Sequence, residues 1–171
     1  LVYNSVTYTL IGNQLTSSNT YTFQVPASWT TNTLFYANVF VTDTASATGN
    51  SVLTSKITVN SALAAPTIAV TNTVVTAGST YESFQAYETG GTASYTYNFL
   101  VYNSVTNTLI GNQLTSSNTY TFLVPSYWTS NNLFYANVFV SDSATVHITQ
   151  NSVLTSKVTV NTGLATPTIF V

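Results

Sequence analysis

Apolar side chains recur at every second position along much of this chain, the spacing that places them on one face of a β-strand. In Tyr95–Asn103, Tyr95, Tyr97, Phe99 and Val101 alternate with Thr96, Asn98 and Leu100, so one face is aromatic. Thr119–Val124 sets Tyr120, Phe122 and Val124 on one side and stops at Pro125, which has no N–H to continue a ladder. Leu133–Ser141 aligns Phe134, Ala136, Val138 and Val140, and Ser152–Val160 aligns Leu154, Val158 and Val160 with Lys157 turned outward. The predicted core is therefore Tyr97, Phe99, Val101, Phe122, Phe134, Val138, Val140, Leu154 and Val158.

Turn residues punctuate these runs. Pro66–Asn72 and Thr73–Thr76 read as one split strand ended by Ala77-Gly78, and Thr80–Thr89 as a second strand closed by Gly90-Gly91. Thr108–Leu114 carries Gly111, which suggests a bulge. No stretch has helical spacing of apolar residues, and β-branched and aromatic residues dominate. The pattern predicts an all-β protein made of antiparallel sandwiches.

Most of the pattern is written twice. Leu1–Thr44 aligns without a gap on Leu100–Ser143 and differs at only eight positions. Ala45–Gly49 and Ala144–Gln150 then differ in length, as an exposed loop tolerates, before Asn50–Val70 resumes on Asn151–Val171. The expected organisation is a domain at 1–61 lacking its first two strands, a short linker at 62–65, a complete domain at 66–161, and at 162–171 a linker with the first strand of a further domain. Two readings of that last segment stay open. The sequence is a window on a longer tandem array, or Leu164, Pro167, Ile169 and Val171 form a donor strand that inserts into the incomplete domain of another copy.

Composition narrows the function. Only Lys56, Lys157, Asp43, Asp142, Glu82 and Glu88 are charged. Two lysines cannot displace the counterions of a nucleic acid, so that partner is excluded. No apolar run approaches the roughly 20 residues that span a bilayer as a helix. Polarity comes from Ser, Thr and Asn, which do not titrate, so the fold is expected to tolerate acid. With no Cys and no Met, nothing in the chain forms a disulfide or offers soft sulfur to oxidants. A chain this poor in charge suits an exported assembly better than a free cytosolic monomer. Asn is abundant, yet no Asn-x-Ser/Thr sequon occurs, so O-linked glycans on Ser and Thr are the sugar partners that remain.

Candidate chemistry is thin. His147 lies near Ser143 and Asp142 but sits in the variable loop without a counterpart in the first copy, and is read as an exposed loop residue. The carboxylates fall on different strands, unlike a calcium site. Asp43 and Asp142 each follow a strand end, where a carboxylate accepts turn N–H groups. A Lys–Asn isopeptide bond at Lys157 is disfavoured by its outward register. Trp29 and Trp128 are read as plugs beneath a turn at the open end of the sandwich, with a sugar-stacking platform as the competing reading. The chain is expected to be no enzyme and to need no metal or cofactor.

The run Gly90-Gly91-Thr92-Ala93-Ser94-Tyr95-Thr96-Tyr97-Asn98-Phe99, followed by Phe139-Val140-Ser141-Asp142 and a valine-rich strand, resembles the immunoglobulin-like and PKD-like repeats of prokaryotic surface proteins. It is similar to repeats of archaeal surface and filament proteins, and more loosely to bacterial gliding-adhesin repeats. The resemblance implies tandem immunoglobulin-like β-sandwiches in an extracellular filament or surface assembly, with copies of the chain as partners. An adhesin stalk that contacts glycans or other cells is the alternative. Near identity of the two copies, loops included, favours the structural reading, because binding modules concentrate difference in their loops.

Overall fold

The computed structural model describes residues 1–26, 28–29, 33–78, 80–130, 132–144 and 149–163. The chain divides into two units, Leu1–Ala62 and Leu63–Val171. Among the described residues there is no helix, and the sheets are antiparallel but for one strand pair.

The second unit holds β7 (Thr67–Val70), β8 (Val74–Thr76), β9 (Tyr81–Tyr87), β10 (Thr96–Asn103), β11 (Leu109–Thr115), β12 (Thr119–Leu123), β13 (Leu133–Ser141), β14 (Thr149–Asn151) and β15 (Val158–Asn161). One sheet runs β12-β9-β7, and the other β11-β10-β13-β15-β8, with β14 also paired to β13. The parallel pair is β15 with β8. The chain leaves the first sheet after β7 and joins the second at β8. At that break the Glu82 carboxylate accepts the backbone N–H of Thr71 at 2.7 Å, which also donates to the Ser83 carbonyl, and that of Asn72 at 3.0 Å, so the Asn72 donor is not stranded as the chain leaves the ladder.

The expected bulge is present, as the register of β10 and β11 shifts between Val101 and Tyr102, opposite Ile110. A Cβ at Gly111 would stand 3.0 Å from the Phe122 ring, so any larger residue there would have to displace that ring.

Side chains of both sheets join one core. Phe84, Ala86 and Phe122 come from the first sheet, and Tyr97, Phe99, Val101, Phe134, Ala136, Val138, Val140, Val158 and Val160 from the second. The Phe134 ring meets Phe122 at 5.5 Å, Trp128 at 5.6 Å and Phe84 edge-on at 6.3 Å. Each such side chain contributes about 1.5–3 kcal/mol by leaving water.

Two expectations are corrected. Leu154 is 56% exposed, not core. Strand β15 begins only at Val158, because Ser152 and Thr155 turn their hydroxyls onto β13 and carry Val153 and Leu154 outward. Leu63, placed in the linker, is 3% exposed and belongs to the second core, where its side chain lies over Gly91.

The first unit holds β1 (Val2–Asn4), β2 (Leu10–Gly12), β3 (Leu34–Ala37), β4 (Phe40–Thr42), β5 (Thr48–Asn50) and β6 (Ile57–Thr58). Its sheets are β2-β1-β3-β6 and the pair β4-β5. Val2, Phe35 and Val59 are buried, with Ile11, Phe23, Trp29 and Ala37 packed against them.

Candidate functional site

The first unit repeats the sequence of β12 at Thr20–Phe23, yet no strand forms there. In the second unit β12 is held by β9, from Thr119 opposite Gln85 to Leu123 opposite Tyr81. Leu1–Ala62 contains no counterpart of β9, so the ladder has nothing to form on. The same absence breaks another strand. Across β13, Val138 to Ser141 pair with Phe99 to Thr96, a stretch also missing from the first unit. There β13 is represented by two pieces, β3 and β4.

An open apolar face results. Val25, Val39, Val41 and Ile57 are 40%, 54%, 62% and 48% exposed, whereas their counterparts Val124, Val138, Val140 and Val158 are fully buried. The backbone beneath them is already arranged: β4 pairs with β5 and β3 with β6. Chemically this face can do one thing, which is to bury apolar side chains and pair with extended backbone.

The polar candidates are structural. Asp43 accepts the N–H groups of Ala45 and Ala47, both at 2.9 Å, as a turn carboxylate should. Asp142 is buried and accepts the Thr92 N–H at 3.0 Å across the end of the second unit. Trp128 is buried against Phe122 and Phe134, and Trp29 packs on Phe23 and Phe35, so both indole rings serve core packing. Lys157 is exposed. His147 and the donor-strand residues Leu164, Pro167, Ile169 and Val171 lie outside the described residues. Among those described, no group of three His, Cys, Asp or Glu side chains converges. An open depression of about 760 Å³ lined by Thr76, Gly78, Ser126 and Thr162 presents hydroxyls and backbone, with no titratable side chain.

Two carboxylates, one buried and one half-buried, were not foreseen as such from the sequence. Glu82 is wholly buried, and its period-two register with Phe84 and Ala86 is the signal that it points inward. Besides the two backbone donors it accepts the Asn72 amide at 3.2 Å. The half-buried Glu88 carboxylate lies near the Tyr97 phenol, and its Oε2 is buried with no hydrogen-bond partner among the described residues. Burial first, then Glu88, pushes the Tyr97 phenol well above its ordinary range; burial likewise raises Tyr120.

No family model, curated protein or solved structure matches the chain.

Proposed function

We propose that the chain is a structural subunit of an extracellular filament or surface assembly built from repeated immunoglobulin-like sandwich domains. Strand order supports the domain type: β7, β9 and β12 against β10, β13 and β15 corresponds to the ABE and CFG sets of that fold. Repetition that extends to the loops carries the functional reading. Asn4 Oδ1 accepts from Val6 and Thr7 at 2.8 and 3.0 Å, and Asn103 Oδ1 from Val105 and Thr106 at 2.8 and 3.1 Å. A cross-strand tyrosine stack also recurs, Tyr3 on Tyr36 at 5.6 Å and Tyr102 on Tyr135 at 5.5 Å. Both units thus carry the same Asn turn and tyrosine stack, as a polymer requires and a ligand-specific loop set does not. The partners are copies of the chain, with O-linked glycans as surface decoration. Electron microscopy of the native material tests this: regular polymers are expected, and isolated unpolymerised stalks would overturn it in favour of an adhesin.

A further inference from the structure

The tyrosine stack that recurs in both units is part of a larger pattern on the outer face of the β10–β13 sheet. Side chains of β10 and β13 that alternate with the core residues stand on that face, and the cross-strand register carries it onto β11 and β14. Leu114, Asn98, Phe139 and Asn151 form one row, and Asn112, Leu100 and Asn137 the next, so that apolar side chains and amides alternate. Leu109 with the stacked Tyr102 and Tyr135 forms a third. These four strands contain no charged residue. Leu109 is 51% exposed and its counterpart Leu10 50%, and the four tyrosines of the two stacks are all half-buried. The segment that closes the core of the second unit therefore leaves this face open.

We propose that copies of the chain associate through this face, its occupant being the same face of a second copy. The proposal rests on the reading of the chain as a self-assembling subunit and names the surface that does it. A face without charge meets itself with no like charges opposed. Each Asn amide both donates and accepts, so amides can oppose amides. Asn137 leaves an acceptor open on this face: its Nδ2 donates to Asn151 Oδ1 at 3.1 Å, while its own Oδ1 is buried with no partner among the described residues. Size points the same way. Four strands about 4.8 Å apart, over about six residues of roughly 3.4 Å each, give one unit roughly 400 Å², half of the about 800 Å² per partner that specific complexes bury. Two units reach that area, and another copy necessarily carries both faces at the matching interval, whatever that interval is.

The test is sedimentation of the full chain over a range of concentrations, with reversible dimers or larger species expected. Leu10→Glu with Leu109→Glu sets like charges on the face in both units and should weaken association about tenfold or more. Leu15→Glu with Leu114→Glu should act alike. Tyr81→Glu with Leu123→Glu, on the outer face of the other sheet, should leave association unchanged. All six side chains are exposed, so the fold tolerates the charge. Mixing the Leu10→Glu, Leu109→Glu chain with a Leu10→Lys, Leu109→Lys chain should restore association, as only a face that meets itself would do. A monomeric unaltered chain, association indifferent to glutamate at positions 10 and 109, or no restoration in the mixture would each overturn the proposal. Regular polymers still built by the Leu10→Glu, Leu109→Glu chain would overturn it and leave the structural subunit standing. Association through this face without polymers in the native material would do the reverse.

Discussion

Thr119–Phe122 and Thr20–Phe23 are the same four residues, yet one is a strand and the other is not. Val138 and Val140 vanish from solvent while Val39 and Val41 stand more than half exposed. Intrinsic preference is identical in each pair, so the difference lies in what lies alongside. β-propensity records fit to a pleated, half-buried surface, and when β9 is absent that surface does not exist. The parts of the first unit that persist are those whose ladder partners lie within its own sequence, β1 with β2 and β3, and β4 with β5.

The sharpest way to break this comparison is at the paired phenylalanines. Phe134 contacts three rings, Phe84 and Phe122 of the facing sheet and Trp128 beyond β12, whereas Phe35 contacts Phe23 and Trp29 in a core with three buried residues. Phe134→Ala should cost the second unit about 3–5 kcal/mol in denaturant titration. Phe35→Ala should leave that transition where it is. Equal displacement of the second unit's transition by both variants would mean that the units do not hold separate cores.

A somewhat smaller loss is expected at Glu82, which has no counterpart in the first unit. Glu82→Ala strands the Asn72 N–H and leaves the Thr71 N–H only its bond to the Ser83 carbonyl at 3.1 Å, where the chain crosses between sheets, a loss of about 2 kcal/mol. Glu82→Gln keeps an acceptor and should recover part of it. Hydrogen exchange at Asn72 locates the effect, and unchanged protection there in the alanine variant would contradict it.

How much of this was legible in the sequence depends on range. The alternation along Leu133–Ser141 predicts its strand to the residue, because every second side chain faces one core. Gly111 marked its bulge, since a close approach leaves a local trace. Leu154 was misplaced because its period-two register with Val158 is interrupted by hydroxyls that take the place of backbone in the ladder. The burial of Glu82 was not foreseen because carboxylates are ordinarily exposed, and only its tertiary partners make it tolerable. The open face was readable in part, from the missing counterpart of Pro66–Phe99, but which valines it exposes depends on pairing across the sheets.

The third expectation concerns alkaline pH, and again only the second unit. In the folded state burial and Glu88 hold Tyr97 neutral, while the unfolded chain releases that proton near the ordinary value of about 10. The contribution is thus fully present below pH 10 and is lost as pH rises beyond it. Between pH 9 and 11 the second unit should lose about 1.4 kcal/mol for this group. Tyr97→Phe should flatten that slope, with Tyr120 supplying a remainder in the same direction. Chemical denaturation at the two pH values checks it, and an unaltered slope in the variant would show that Tyr97 ionises freely in the fold.

The smallest effects test a feature both units share. Val138 and Ala136 in β13 donate their N–H groups to Ser152 Oγ at 2.9 Å and Thr155 Oγ1 at 3.0 Å. In the first unit Val39 and Ala37 donate to Ser51 Oγ and Thr54 Oγ1 at the same distances. The motif is local enough to form in either setting, but its energetic weight differs. The Val138–Ser152 bond is buried and the Val39–Ser51 bond exposed, so in the first unit water can replace the lost hydroxyl. Ser152→Ala should therefore cost about 1–1.5 kcal/mol and Ser51→Ala within about 0.5 kcal/mol of nothing. Leu154, turned outward by the same hydroxyls, should accept Ser with a change below about 0.5 kcal/mol. Calorimetric or denaturant-derived stabilities of the three variants decide the matter. A large loss for Leu154→Ser together with a neutral Ser152→Ala would return Leu154 to the core and move the register of this edge by one residue.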